Sequence, residues 1–207
     1  MLRVSTVDAR AVTRPLQALV VVVGAVGLAS GRVDVVVNAG LGFAVTMVPA
    51  ALRRDFGVPV HPLHALWIAG AVALHAVGVL GPYRSLWWHA LTHAVSASLV
   101  AGAAYVSVSA VDRHVPNVSF PPAFLVAVTL LATMAAGVLW EVLEFLAAFL
   151  GEAVTGRALL TRYGLEDTMV DLLFDAAGGV VVAAARTPRL RLLAATVAAR
   201  IQRMRES

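Results

Sequence analysis

The stretch "GLEDTMVDLLFDAAGG", Gly164–Gly179, contains four acidic residues and also begins the last long apolar segment of the chain. Three of its acids, Asp167, Asp171 and Asp175, follow one another at intervals of four residues. In an α-helix this spacing places them on one face, because each step of four residues turns only about 40° beyond a full turn. The stretch therefore predicts a helix that can enter a membrane and carries a row of carboxylates.

The composition of the whole chain is typical of a membrane protein. Of 207 residues, 60% are hydrophobic and 14% are charged, whereas soluble domains are about one quarter charged. A transmembrane helix needs about 20 apolar residues, and barrel strands are shorter and alternate in polarity. The sequence thus predicts an all-α polytopic membrane helix bundle of about six transmembrane helices. The apolar runs are Pro15–Ala29, Val33–Leu52, Leu63–Leu80, Leu86–Ala110, Ala123–Leu150 and Thr168–Ala185.

The arginine distribution predicts the orientation of the bundle. All 16 basic residues are arginine, and cytoplasmic loops of membrane proteins are enriched in such residues. With a cytoplasmic N-terminus, twelve arginines fall on the inner side, both termini are cytoplasmic, and the plasma membrane is the expected location. Because the arginines lie at segment ends and in the tails, the net charge of +4 does not indicate nucleic-acid binding. The four outer arginines are Arg32, Arg84, Arg157 and Arg162.

The expected organisation has three parts. These are a cytoplasmic segment at residues 1–14, a transmembrane bundle at residues 15–185 and a basic cytoplasmic tail at residues 186–207. The tail has apolar residues at helical spacing, which predicts an amphipathic helix that could lie on the anionic inner leaflet. A short tail with helical character is the alternative. The apolar stripe consists of Leu190, Leu193, Val197, Ile201 and Met204.

The first apolar run has an alternative interpretation as a signal peptide. Basic residues precede it and small residues follow it, and cleavage near Ser30 would leave five helices. A retained first helix is favoured, because the charged leader through Arg14 is long for a signal peptide and "SGR", Ser30–Arg32, predicts a tight turn into the second helix.

Four of the predicted helices carry ionisable residues near the same membrane face. His89 and His93 open the fourth helix, and His75 lies near the end of the third. Glu141 and Glu144 lie near the end of the fifth helix, which runs toward the face where the sixth begins. At a rise of 1.5 Å per residue, all these groups fall within roughly the outer 15 Å of the bilayer.

The five carboxylates at this depth cannot face lipid as free anions. A single charge at the bilayer centre costs at least about 2.5 to 3.5 kcal/mol. They are therefore expected to face the bundle interior, protonated, hydrated, paired with cations or bound to metal. Arg84 and Arg162 are expected to supply counter-charge at the outer rim, and Gly178 and Gly179 to let the sixth helix approach a neighbour closely.

A metal site is the leading hypothesis for these groups. Imidazole and carboxylate suit Zn, Mn or Fe, and helical bundles hold metals by such groups on facing helices. A bound metal could generate a hydroxide nucleophile, with Glu144 or Asp167 as general base. The expected function is a metal-dependent hydrolase or transferase acting on a lipid or lipid-linked substrate. The predicted metal ligands are His89, His93, Glu141, Asp171 and Asp175.

Two other functions stay open at this point. The chain could be a cation- or proton-coupled transporter of a small solute, since intramembrane acids and histidines form such pathways. It could also hold a buried polar network that fixes helix packing without catalysis. The sequence does not decide whether the protein is an enzyme, and it does not predict an oligomeric state. His61 and His64 are predicted to be interfacial, at the inner start of the third helix.

Three stretches, "PYRSLWWHALTHAVSASLVAG", "GVLWEVLEF" and "EDTMVDLLFDAAGGVV", resemble prokaryotic multi-pass membrane proteins of the YjdF-like type. VanZ-like proteins are more distant in pattern. The resemblance covers about half of the chain and implies a multi-pass helical membrane protein without a settled activity. His93, the two glutamates and the three aspartates match its motifs, whereas His89 stands where those proteins more often have Asp. A histidine there retains the capacity to bind a metal but removes an anion.

Overall fold

The structure, a computed structural model, describes residues 6–58, 60–81, 85–115, 117–156, 164–185 and 188–206. These residues form seven α-helices and no strand, which confirms the predicted all-α class. The helices are α1 Thr6–Ala29, α2 Val33–Asp55, α3 Pro62–Val79, α4 Leu86–His114, α5 Pro122–Thr155, α6 Leu165–Ala185 and α7 Pro188–Glu206.

Six of the helices, α1 to α6, are long and apolar enough to cross a membrane, as the apolar runs predict. The observed helices extend beyond several of these runs, because a helix continues past the apolar residues until a turn residue ends it. Gly156, with φ +68°, ends α5 in the left-handed conformation that favours glycine. Helix α6 begins at Leu165, so that Asp167 belongs to its first turn.

The transmembrane helices pack in two groups. In the first, α1, α2 and α3 contact one another around a core of small and β-branched side chains. In the second, α4, α5 and α6 contact one another, and the contact between α4 and α6 is the most extensive. Contacts between α3 and α4 join the two groups. The first helix therefore contributes to the bundle core, with Val20 and Val23 buried against Val35 and Ala39.

Helix α6 approaches both of its neighbours closely at two consecutive glycines. A Cβ atom at Gly178 would collide with the backbone oxygen of Ala94 in α4. A Cβ atom at Gly179 would be 3.3 Å from Thr133 Cγ2 in α5. The close approach predicted for these glycines is therefore present, and it brings the acidic face of α6 against α4.

Helix α7 packs on the bundle through its apolar face. Leu190 and Ala194 are buried in one cluster with Ala101 and Tyr105 of α4 and Val182 of α6. Leu193 and Val197 are partly buried against the same cluster, and Ala198 is also buried. Protein thus covers much of the predicted stripe, whereas the side chains of Ile201 and Met204 lie outside the described residues. Contact of this helix with the inner leaflet stays a prediction.

Candidate metal centre between α4 and α6

Two histidines of α4 face three aspartates of α6 in an alternating row, which we call the His–Asp ladder. His89 Nδ1 is 3.2 Å from Asp167 Oδ1 and 3.2 Å from Asp171 Oδ1. His93 is 3.7 Å from Asp171 Oδ1 through Nε2 and 3.2 Å from Asp175 Oδ1 through Nδ1. The ladder forms because α4 and α6 run in the same direction and both place a polar residue at every fourth position.

Asp171 is the central group of the ladder. It is 1% exposed, and neither of its carboxylate oxygens receives a hydrogen bond from the described residues. Buried polar atoms almost always have a hydrogen-bond partner, so this carboxylate has capacity for a proton, a water molecule or a metal ion. One ligand atom each from His89, His93 and Asp171 lies within 4.8 Å of the other two. Three such atoms could bind one ion and leave a coordination position open.

Asp175 is placed to orient one of these ligands. Its Oδ1 contacts His93 Nδ1, which leaves His93 Nε2 on the side of Asp171. Metal-binding histidines usually donate their second ring N–H to a carboxylate in this way. Gly137 of α5 allows the arrangement, since a Cβ atom there would collide with Asp175 Oδ2.

The glutamates of α5 border the ladder. Thr168 Oγ1 donates a hydrogen bond of 2.8 Å to Glu141 Oε2, whereas Glu141 Oε1 is buried without a hydrogen bond from the described residues. Trp140 Nε1 donates a hydrogen bond of 3.0 Å to Glu144 Oε1. The indole ring of Trp140 also packs edge-on against His75 at 6.1 Å.

His75 connects the ladder region to α2. Its Nε2 is 3.0 Å from Asn38 Oδ1, and Asn38 is buried in the transmembrane part of α2. His75 therefore makes a polar contact with α2 and a ring contact with α5 at the end of the bundle where α4 and α6 begin. The ionisable residues of four helices occupy one level, as their spacing predicts.

Among the three aspartates of the ladder, the one at the start of α6 is the most exposed. The side chain of Asp167 is 22% exposed, that of Asp171 is 1% exposed and that of Asp175 is 7% exposed. The cluster is thus most accessible at the helix ends and most enclosed one turn below them. A small polar molecule would enter from this end of the bundle.

The predicted ligands differ in how closely they come together. His89, His93 and Asp171 form the compact group, Asp175 lies beside His93, and Glu141 bonds to Thr168 outside that group. Across the described parts of the chain, the ion pairs of these carboxylates are all with imidazoles. The expected counter-charges, Arg84 and Arg162, lie outside the described residues.

Three residues of the site are not predicted from the sequence. Thr168 bonds to Glu141, Asn38 contacts His75, and Gly137 makes room for Asp175. Asn38 had a usable signal, because it is the only side-chain amide in the run Val33–Leu52. Thr168 and Gly137 gave no such signal in the sequence, since a threonine or a glycine in a transmembrane helix usually serves packing.

The family described as "Predicted membrane protein (DUF2238)" matches residues 12–191, which include every helix that contributes to the ladder and its surroundings. The chain belongs to this family. No curated protein and no solved structure is similar enough to the chain to count as a match. Membership in the DUF2238 family agrees with the six apolar helices and identifies a multi-pass membrane protein, and it assigns no activity.

Proposed function

We propose that this DUF2238 protein binds one divalent metal ion, Zn, Mn or Fe, at His89, His93 and Asp171. The supporting observation is the Asp171 carboxylate, buried beside two imidazoles without a hydrogen bond from the described residues. Two histidines and a carboxylate suit transition metals, and an ion would satisfy the oxygens of Asp171. Asp175 and Glu141, the other predicted ligands, then act as an orienting partner of His93 and as an adjoining carboxylate.

The metal would serve a hydrolase or transferase reaction at the outer face of the plasma membrane. An ion with three protein ligands retains a position for water or substrate, and it lowers the pKa of bound water. Glu144 and Asp167 are the proposed general bases, since both lie beside the ligand group and neither belongs to it. The depth of the site suits a lipid or lipid-linked substrate. The YjdF-like and VanZ-like resemblance stays a prediction.

Transport of a cation or proton receives less support. A transport path would need polar groups from the ladder to the opposite membrane face. The buried hydroxyls of Thr129 and Thr133 in α5 donate instead to carbonyls of their own helix, Leu125 and Thr129 respectively. These two hydroxyls therefore have partners within α5 and do not extend the polar groups of the ladder toward the opposite face.

Elemental analysis of the purified protein in detergent tests the metal site. About one transition metal per chain is expected in the wild type and in Glu166→Gln, a matched control because Glu166 is an exposed acid of the same helix. Asp171→Asn, His93→Gln and Asp171→Asn/Glu141→Gln should lose the metal. A folded wild type that takes up neither Zn, Mn nor Fe would rule out the site and leave a relay or a packing network.

Activity on lipid substrates tests the reaction separately. Ester and phosphodiester lipids in vesicles would be incubated with the metal-loaded protein. Glu144→Gln or Asp167→Asn should retain the metal and lower turnover by about 100-fold or more, because general bases contribute factors of this size. Metal-loaded protein that is inactive on both lipid classes but moves cations across vesicle membranes would favour transport.

A further inference from the structure

A cavity lies in the other half of the bundle, away from the ladder. It has a volume of about 430 Å³ and lies between the start of α3, the middle of α4, the end of α6 and the start of α7. This volume falls within the range of roughly 300 to 1,000 Å³ that is usual for small-molecule sites. The lining includes His64, Trp67, Ser98, Val182, Arg189 and Leu190. Arginine bias places this end of the bundle at the cytoplasmic face.

The lining combines an apolar wall with a cationic mouth. The apolar lining residues include Leu63, Trp67, Val181, Val182 and Leu190. Arg189 of α7 and His64 of α3 both line the cavity. His64 Nδ1 is buried and has no hydrogen-bond partner among the described residues. The cavity therefore combines apolar side chains with a buried imidazole nitrogen that can still form a hydrogen bond.

We propose that this cavity binds one anionic phospholipid of the cytoplasmic leaflet. Arg189 and His64 would hold the phosphate, because arginine is well suited to phosphate oxygens and a histidine N–H can donate to them. An acyl chain would cover Leu63, Trp67 and Val181, the apolar lining residues that the helices leave partly or largely exposed. A soluble anion would leave these residues uncovered, and an uncharged lipid would leave Arg189 without an anion.

The surroundings of the cavity agree with a lipid as the occupant. Val181 lines the cavity and is 64% exposed, so the cavity opens toward the surface that the bilayer covers. In a bilayer, the exposed Arg189, Arg191 and Arg203 of α7 also attract anionic lipids to this end of the bundle.

The proposed lipid site is separate from the metal site. Ser98, the cavity residue of α4 nearest in sequence to the ladder, is five residues beyond His93, which corresponds to about 7.5 Å along the helix. None of the ladder residues lines the cavity. Loss of the metal is therefore not expected to change lipid binding.

Native mass spectrometry of the full chain in a neutral detergent tests the proposal. The protein would be titrated with phosphatidylglycerol or phosphatidylcholine. We expect one phosphatidylglycerol per chain, bound about fivefold or more tightly than phosphatidylcholine. Arg189→Gln should remove this preference, because the preference comes from the charge at the mouth. Ala185→Phe places a larger side chain in the lining and should weaken the binding of both lipids.

Matched controls separate this site from general charge attraction. Arg191→Gln removes an exposed arginine of the same helix that does not line the cavity, and it should leave the preference unchanged. Glycerol phosphate, which has the anion without acyl chains, should not displace the lipid. Equal binding of the two lipids, or an equal effect of Arg191→Gln and Arg189→Gln, would overturn the proposal. Displacement by glycerol phosphate would also overturn it and indicate a site for soluble anions.

Discussion

The two helix groups of this bundle are held together by different kinds of contact. The α1–α3 group packs through small and β-branched apolar residues, and its polar contacts include the 3.2 Å hydrogen bond from Gln17 Nε2 to Thr46 Oγ1. The α4–α6 group meets at the His–Asp ladder, where carboxylates and imidazoles are buried in contact. Mainly apolar packing thus joins three transmembrane helices of this chain. The buried acids of the second group support the proposed metal site, and the variants below separate that role from packing.

The largest expected effect is steric and distinguishes the two groups directly. Gly178→Ala should lower the free energy of unfolding by about 3 kcal/mol, at the upper end of overpacking costs, because the obstacle is the backbone oxygen of Ala94. Gly42→Ala in α2 should cost about 1 kcal/mol, since its obstacle is a side-chain methyl, Val72 Cγ1, at 2.8 Å. Reversible unfolding in detergent would measure both.

Gly40→Ala is the control for these two variants, because no atom lies within 4 Å of the added Cβ. Alanine is a better helix former than glycine by about 1 kcal/mol, so this variant should be at least as stable as the wild type. Equal losses for Gly178→Ala and Gly42→Ala would mean that the two groups tolerate overpacking alike.

The variant Asp171→Asn tests whether Asp171 serves as a metal ligand or only supports the packing of the helices. A metal at 100 times its dissociation constant stabilises the folded state by about 2.7 kcal/mol. The wild type and Glu166→Gln should show this gain in thermal unfolding, and Asp171→Asn should not. Without metal, Asp171→Asn should be at least as stable as the wild type, because the carboxylate receives no hydrogen bond from the described residues and the amide avoids the cost of a buried charge. A loss of stability without metal would instead assign the acid to packing.

Thr168→Val should lower the free energy of unfolding by about 1 to 1.7 kcal/mol. Hydrogen bonds between transmembrane helices average about 0.6 kcal/mol and reach about 1.7, and this one is made to a Glu141 carboxylate whose other oxygen has no hydrogen bond from the described residues. Thr196→Val in α7 is the matched control, because that exposed hydroxyl bonds only within its own helix. Equal effects of the two variants in thermal unfolding would show that the Glu141 contact adds no stability.

The smallest expected effect is in the apolar group. Gln17→Leu removes the hydrogen bond to Thr46 and should cost about 0.6 kcal/mol or less, since leucine replaces the lost contact with apolar packing. Thermal unfolding of Gln17→Leu and Thr168→Val under the same conditions would compare their losses of stability. A larger loss for Gln17→Leu than for Thr168→Val would contradict the contrast between the groups.

The sequence predicts the transmembrane helices and the level of the polar groups for simple physical reasons. Continuous apolar runs mark the helices, and intervals of four residues place His89 and His93 on one face, and the aspartates on another. Alternating helix directions then bring the groups of four helices to the same end of the bundle. These inferences need only the geometry of single helices and the order of the chain.

The contacts between helices could not be predicted in the same way. The choice of Thr168 as the partner of Glu141 depends on how α5 and α6 are rotated, and that rotation depends on where small residues permit close approach. The covering of helix α7 could not be predicted either. An amphipathic pattern predicts an apolar face but does not show whether protein or lipid covers that face. In the structure, Leu190 and Ala194 pack on α4.

The contact between Gly178 and Ala94 has a consequence for sliding between α4 and α6. A repeat of four residues on both helices would let the ladder slip by one turn, about 6 Å, and still pair histidines with aspartates. Such a slip would bring Phe174 or Val182 to the place of Gly178, beside the backbone of Ala94. Neither side chain fits where a single Cβ atom already collides. One glycine thus locks the register of a ladder whose own spacing would permit a one-turn ratchet.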